Sequence, residues 1–336
     1  MTTYILDTTS ATLAQLSWRT FRGPVDYRVL AAIGQRANLA DHVDDVLTVE
    51  AVANEMEHPV NFDPQVDVLI AEIEGRPIAW QQTSWALQEG QYHYKLRGYV
   101  APGWRRRGIG RELLRRGERR LRQVAAGHPT DVQRFVGTFC AARRAGKAAL
   151  FASEGYQTIR HFYTMLRTGL DDLPGAPLPT GFELRPARSE QWRAIWEANE
   201  EAFRDHWGNR PATDEDFERL LADADFDPSL WQVAWHTASN QVAGVAINSI
   251  PASQNSAHQR QRGVVENLSV HRPWRKHGLG RALLVASLRA LRAHGQTEVM
   301  LGVDAENISG ALRLYEAVGF TQIDHGMVFT KPMETL

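Results

Sequence analysis

Residues 100–114, VAPGWRRRGIGRELL, return at residues 270–284 as VHRPWRKHGLGRALL. Trp104 and Trp274, Arg105 and Arg275, Gly108 and Gly278, Gly110 and Gly280, Arg111 and Arg281, Leu114 and Leu284 all stand at one offset of 170 residues. A register kept through a strand, a loop and the start of a helix makes internal duplication the simplest account of the chain. Its 336 residues agree. At about 150 residues per domain they fill two, each large enough for its own core.

Each copy has a physical reading of its own. A β-rich run (Tyr92 to Val100; Val264 to Val270) ends at a proline-containing turn, followed by basic residues, Gly-x-Gly, and a helix opening on Arg-x-Leu-Leu. Glycines at a helix entrance let backbone N–H groups approach a ligand, and the helix end adds about half a positive charge. The result is an anion cradle suited to a phosphate or diphosphate. It lacks the Gly-Lys-Ser/Thr ending of a nucleoside-triphosphate loop and is one glycine short of the dinucleotide fingerprint. The spacing Arg-x-x-Gly-x-Gly after a strand ending in Val resembles the pyrophosphate loop of the GNAT superfamily of acyl-CoA N-acyltransferases. The resemblance implies acetyl-CoA as acyl donor and no metal. It also implies a set of cofactor-binding residues in each copy: Val100, Arg105, Arg106, Arg107, Gly108, Ile109, Gly110 and Arg111 in the first; Leu268, Ser269, Val270, Arg275, Lys276, His277, Gly278, Leu279, Gly280 and Arg281 in the second, with Asn307.

The remaining chain repeats one programme on either side of residues 168–181, TGLDDLPGAPLPTG, whose Pro and Gly content and lack of apolar period read as a linker. Apolar spacing near 3.6 predicts helices over 24–40 and 49–58, and β-like runs follow at Val66 to Ile73, Ile78 to Trp85 and Gln91 to Val100. After the first cradle helix come a strand at Arg134 to Cys140, a helix at Ala142 to Glu154 and a strand to Arg167. The second half has capped helices after Ser189 and Thr213, a hairpin at Trp231 to Ile250, and a polar loop, PASQNSAHQRQ. A strand to Val270, the cradle, a helix to His294, a strand at Glu298 to Val303, a helix at Ser309 to Val318, and strands Thr321 to Ile323 and Met327 to Thr330 complete it. The expected fold class is therefore α/β of the α+β kind: two tandem GNAT folds, each a mixed, mostly antiparallel twisted sheet flanked by helices. The expected domains are 1–167, the linker 168–181, and 182–336.

The two halves differ where chemistry is concerned. Asn307, Ala311, Tyr315 and Gly319-Phe320 look like the superfamily's C-terminal signature Asn-x-x-x-Ala-x-x-x-Tyr-x-x-x-Gly-Phe, and spacing by four puts the first three on one helix face. Counting back from Gly155 places Arg143, Lys147 and Phe151 at those positions in the first half, where the hydroxyl is missing. Direct transfer from a thioester to an amine needs a base for the amine and an acid for the departing thiolate. A phenol of pKa about 10 is protonated at neutral pH and fits the second task. The resemblance assigns it to Tyr315, and it assigns the base to Glu266, on the strand leading into the second cradle. The position 170 residues earlier is Leu96. Asp304 and Asn267 stand in reserve as bases. The segment Ala202 to Gly208, with Asp205, His206 and Trp207, is placed like a substrate loop, and Asp304 joins it as an acceptor-side residue. The whole resembles the tandem arrangement of the mycothiol-synthase family, in which the C-terminal domain acetylates a cysteinyl amine. It implies a catalytic second half, acting on a small-molecule primary amine, beside a first half that binds CoA without turnover. The alternative is an acyl-CoA-binding regulatory protein.

Nine arginines against two glutamates lie between Arg105 and Arg122. Such a run fits a CoA phosphate, a solvated face or a nucleic-acid surface. With no aromatics interleaved and a net charge of −1 for the whole chain, nucleic acid is not expected as a partner. No apolar run reaches the length of about 20 residues that spans a bilayer, so no membrane is expected either. One cysteine, Cys140, and the opening MTTYILDTTS without a basic-then-apolar leader make the cytoplasm the expected compartment.

Overall fold

The structure, a computed structural model, describes residues 15–307 and 310–333. They form two compact units, Met1–Ile159 with Met327–Leu336, and Arg160–Gly326. The division at 167 and 182 read from the sequence differs from this at two strands. Residues 160–168 belong to the second unit, and residues 327–333 return to the first.

In the first unit the strands are β1 (Leu16–Thr20), β2 (Val68–Ile73), β3 (Arg76–Gln88), β4 (Gln91–Val100) and β5 (Arg134–Ala141). They neighbour one another in that order, and the 327–332 part of a late strand follows β5. The first four pair antiparallel and β4 pairs parallel with β5. Helices α1 (Tyr27–Ala40) and α2 (Val49–Glu57) cover one face, burying Leu30, Ile33 and Val52 against Ile70 and Trp80. Thr48 caps α2, its hydroxyl accepting from the Ala51 N–H at 3.0 Å. Besides a single turn at Pro64–Asp67, the unit has two further helices, α3 (Ile109–Ala125) and α4 (Ala145–Ser153). On the second face Leu114, Leu121, Val136, Phe151 and Phe329 share one apolar cluster. Each such leucine contributes about 1.5–3 kcal/mol of burial.

The arginine run on and before α3 is matched to the acids around it. Arg111 and Arg115 reach Glu154, Arg116 and Arg119 reach Glu112, Arg120 reaches Asp67, and Arg122 reaches Glu118. Arg105 pairs with Asp41. Arg107 and Arg116 also lie over the Trp104 and Trp18 rings. The run is therefore chiefly an ion-paired coat for one helix, which accounts for its density in a chain of nearly neutral charge.

The second unit has the same plan. Its strands run β7 (Phe182–Arg185), β8 (Gln232–His236), β9 (Gln241–Ser249), β10 (Arg262–Val270), β11 (Glu298–Asp304) and then residues 160–168 of β6 (Gln157–Thr168). All pairings are antiparallel except β10 with β11. Helices α5 (Trp192–Phe203) and α6 (Asp214–Leu221) precede β8. The short α7 (Ala252–His258) occupies the stretch expected to be a polar loop and stops at Gln259, whose φ is +50°. Helix α8 (Leu279–Ala293) buries Leu283, Leu284, Leu288 and Leu291, and α9 (Ala311–Ala317) follows β11. The two late strands expected at 321–323 and 327–330 are one, β12 (Thr321–Pro332).

Beyond Thr168, the last residue of β6, the Pro/Gly-rich segment to 181 has no helix or strand, as its composition requires, yet it is not loose. Leu170 is buried, and Leu173 and Ala176 pack on the same cluster as Leu288 and Val299. Three apolar side chains were enough to seat it.

Candidate active site

Both glycine loops have one conformation. Gly108 and Gly278 stand at φ +80° and +85° immediately before α3 and α8. Two residues earlier, Arg106 and Lys276 take φ +63° and +65°, a region uncommon for side-chain-bearing residues. Ile109 and Leu279 are each 1% exposed, anchoring the helix starts in the core. Around Gly278 nothing lies within 4 Å of where a Cβ would sit, and the first N–H groups of a helix have no partner within the helix. Such donors and the helix dipole are of the kind that suits an anion.

The leading arginines are both engaged within the protein. Arg275 donates from Nε to the Val270 carbonyl at 2.9 Å and from Nη2 to the Ala202 carbonyl at 2.9 Å. Arg105 repeats the geometry, with Nε on the Val100 carbonyl at 3.3 Å and Nη2 on the Ala37 carbonyl at 3.3 Å. Each guanidinium ties its loop to the end of a strand and the end of a helix, so Arg105 and Arg275 help set the shape of the cradle. Arg111 is likewise held by Glu154 and Ser153. Lys276, His277 and Arg106 remain exposed on the loops.

The parallel strands part at matching places. β4 pairs with β5 as far as Lys95 and Gly137, and β10 pairs with β11 as far as Val265 and Leu301. Beyond them Leu96 to Val100, and Glu266 to Val270, keep only the neighbour on their other side. A strand edge opened in this way offers N–H and C=O groups to an extended, amide-containing ligand. In the second unit the parting carries a β-bulge. Val265 faces Asn248 and Asn267 faces Ile247, so Glu266 is the extra residue. The first unit has no such shift along β3 and β4.

The bulge re-aims Glu266, which accepts from the Ser249 hydroxyl at 2.6 Å. Its carboxyl pKa is raised, first by desolvation and then by the like charges of Asp223 and Asp225, against the lowering effect of Ser249. The residue itself is exposed at the surface.

Tyr315 is 8% exposed and belongs to the cluster containing Val265, Val303 and Phe320, with Leu268 packed against it. Burial pushes its phenol up to about 12. Asn307 does not share its helix face as spacing predicts. It follows β11 on a turn, its N–H donating to the Asp304 carbonyl at 3.1 Å, and Gly310 at φ +78° then starts α9 anew. The expected helix start at Ser309 lies outside the described residues. Leu268 and Val270 are half-buried and Ser269 is buried, all on the opened strand.

The acceptor-side residues are distributed unevenly. Asp205 is paired with Arg272 and lies 3.5 Å from Arg275, which ties it to the loop. His206 stacks near Phe203, and burial with the nearby Arg275 lowers its pKa. Asp304 is held by Arg160 at 2.7 Å. Arg160 also covers the Trp207 ring at 5.3 Å, with Phe162 at 6.1 Å. This wall of Arg160, Phe162, Trp207 and Asp304 escapes sequence reading. Its first two members come from β6, well over a hundred residues before Asp304, with no local signal to join them.

Comparison with known proteins adds the family. The family model described as "Acetyltransferase (GNAT) family" matches residues 39–133 and 192–320. A mycothiol acetyltransferase of Geodermatophilus obscurus is 32% identical over 226 residues, covering 66% of this chain and 69% of that protein. One of Thermobispora bispora is 33% identical over 231 residues, covering 66% and 71%. Among solved structures, a GCN5-related N-acetyltransferase from Sphaerobacter thermophilus superposes with a TM-score of 0.71 at 27% identity over 95% of this chain and 96% of that one. A tandem GNAT protein from the clavulanic acid biosynthesis pathway superposes with a TM-score of 0.68 at 19% identity, covering 95% and 99%, a likeness of fold. With its repeated loop, its two parted sheets and these relatives, the chain belongs to the acetyltransferase (GNAT) family.

Proposed function

We propose that the second unit transfers an acetyl group from acetyl-CoA directly to the primary amine of a small molecule or amino-acid derivative. The observation that carries this reading is Glu266, placed by the bulge at the point where β10 leaves β11, with Tyr315 buried in the cluster that contains its neighbour Val265. The glycine loop at 275–281 fits the diphosphate of the donor, since Gly278 leaves open space that a Cβ would begin to fill. The opened edge of Glu266 to Val270 suits the donor's amide-bearing arm. Glu266 takes a proton from the incoming ammonium, directly or through water, and Tyr315 gives one to the departing thiolate. Asp223 and Asp225 near Glu266 favour a cationic acceptor. The first unit keeps the cradle but has Leu96 and Phe151 where the second has Glu266 and Tyr315. It binds the same class of donor without acting on an external amine. A cytoplasmic setting fits the reduced, buried Cys140.

The relatives' name makes a mycothiol-related acceptor the first to try, beside other amino-acid derivatives and simple amines. Purified protein with acetyl-CoA is offered this panel while CoA release and the N-acetyl product are followed by chromatography and mass spectrometry. One class of amine is expected to raise CoA release well above slow hydrolysis. A flat response across primary amines, or acetyl found only on hydroxyls, sinks the proposal.

A further inference from the structure

A cavity of about 580 Å³ opens at the glycine loop of the first unit, the place proposed above for a bound donor. Its wall includes the loop residues Arg106, Gly108 and Gly110, the strand end at Val100, and Lys147 on α4. Lys147 stands one turn before Phe151, the residue in the place of Tyr315. Its Nζ lies 5.6 Å from the Phe151 ring centre and 6.0 Å from that of Tyr99. Among the described residues this ammonium meets no carboxylate at pairing distance and no hydrogen-bond acceptor. Lys331 by contrast touches Glu118 at 2.6 Å. Three of the four arginines around the same cavity are committed, Arg105 to Asp41, Arg111 to Glu154 and Arg144 to Asn38, while Arg106 stays exposed on the loop. Choice of residue matters here. Only Lys95, Lys147, Lys276 and Lys331 among the 38 basic residues are lysines. An amine can be acylated at neutral pH, whereas a guanidinium stays protonated.

We propose that the first unit acylates itself: an acyl-CoA seated on the first glycine loop passes its acyl group to the Nζ of Lys147. The neutral amine attacks the thioester carbonyl carbon, the new C–N bond forms as the C–S bond breaks, and the proton lost from nitrogen ends on the departing thiolate. The products are an amide and free CoA thiol, with no further reactant. Burial, then Arg144 and Arg97, lower the Lys147 pKa to about 8, while Cys140 and Asp41 act in the opposite sense. About a tenth of the side chain is then neutral at pH 7, against roughly one in three thousand for an ordinary lysine. The other nucleophile near it, Cys140, is fully buried, and burial holds its thiol above the usual range. Acylation also removes an unpaired charge from a partly apolar wall.

This rests on the reading that the first loop holds an acyl-CoA, and its test is independent of turnover in the second unit. The full chain carrying Tyr315→Phe is incubated with acetyl-CoA, digested and mapped by mass spectrometry at all four lysines. Lys147 is expected to gain an acetyl group at least tenfold faster than Lys95 or Lys331, and faster still as pH rises through about 8 before levelling. Gly108→Val, which cannot hold φ +80° without strain, is expected to slow labelling of Lys147 at least tenfold and leave Lys95 unchanged. Arg106→Glu, which opposes the diphosphate with no demand on the backbone, is expected to do the same. Three results overturn the proposal: Lys147 labelled no faster than Lys95, labelling indifferent to both loop substitutions, or labelling present in the parent chain and absent with Tyr315→Phe. The last would trace the acetyl group to the second unit.

Discussion

At the scale of single residues, the proposed reaction divides its two proton tasks between side chains in different surroundings. Tyr315, moved upward by burial to about 12, remains a donor throughout the neutral range. Glu266 is also raised, and a base is lost when it gains a proton, so activity falls as pH drops through a value above the ordinary carboxylate range of about 4.3. The expected pH profile of kcat/KM therefore has an acidic limb displaced upward. Glu266→Gln is expected to abolish that limb and cost about a hundredfold in kcat/KM. Tyr315→Phe should lower kcat by about a hundredfold, leave the limb in place and change KM for acetyl-CoA little, as read by CoA release. An unchanged acidic limb in Glu266→Gln would reassign the base.

At the scale of elements, one buried network shows how a distant strand is bound into the first unit. Glu118 on α3 is 6% exposed and accepts from the Tyr156 hydroxyl at 2.8 Å, from Lys331 of β12 at 2.6 Å and from Arg122 at 3.3 Å. Lys331 lies over the Tyr156 ring as well. Lys331→Met leaves the carboxylate with fewer partners in a low-dielectric setting and is expected to destabilise the first unit by about 1–3 kcal/mol. Scanning calorimetry checks this, and adding Glu118→Gln should recover part of the loss. The contrast with the glycine loops explains what the sequence made legible. A loop, its glycines and the helix it opens are carried by consecutive residues, so the cradle, the family and the element order could be read directly. The bulge at Glu266, the Arg160 wall against Trp207 and the seating of Leu170 depend on residues brought together by tertiary pairing. The partnering of the arginine run was hidden for the same reason, since Asp41, Asp67 and Glu154 lie on other elements.

At the scale of the molecule each unit closes its sheet with chain from outside its own half of the sequence. The second takes residues 160–168 beside β11, and the first takes residues 327–333, where the Met333 N–H donates to the Arg134 carbonyl at 2.9 Å. A chain stopped after Gly326 therefore keeps the second unit whole and strips a strand from β5. Hydrogen exchange in Arg134–Ala141 should quicken by at least tenfold on that truncation while β10 and β11 keep their protection. Equal loosening of both units, or of neither, would contradict the assignment of residues 327–333. During synthesis the consequence concerns timing. The half that leaves the ribosome first must wait, one edge bare, until the half translated after it has emerged, so the polypeptide matures in the reverse of its reading order. A chaperone guarding nascent protein would find its client at the beginning of the message rather than at the end.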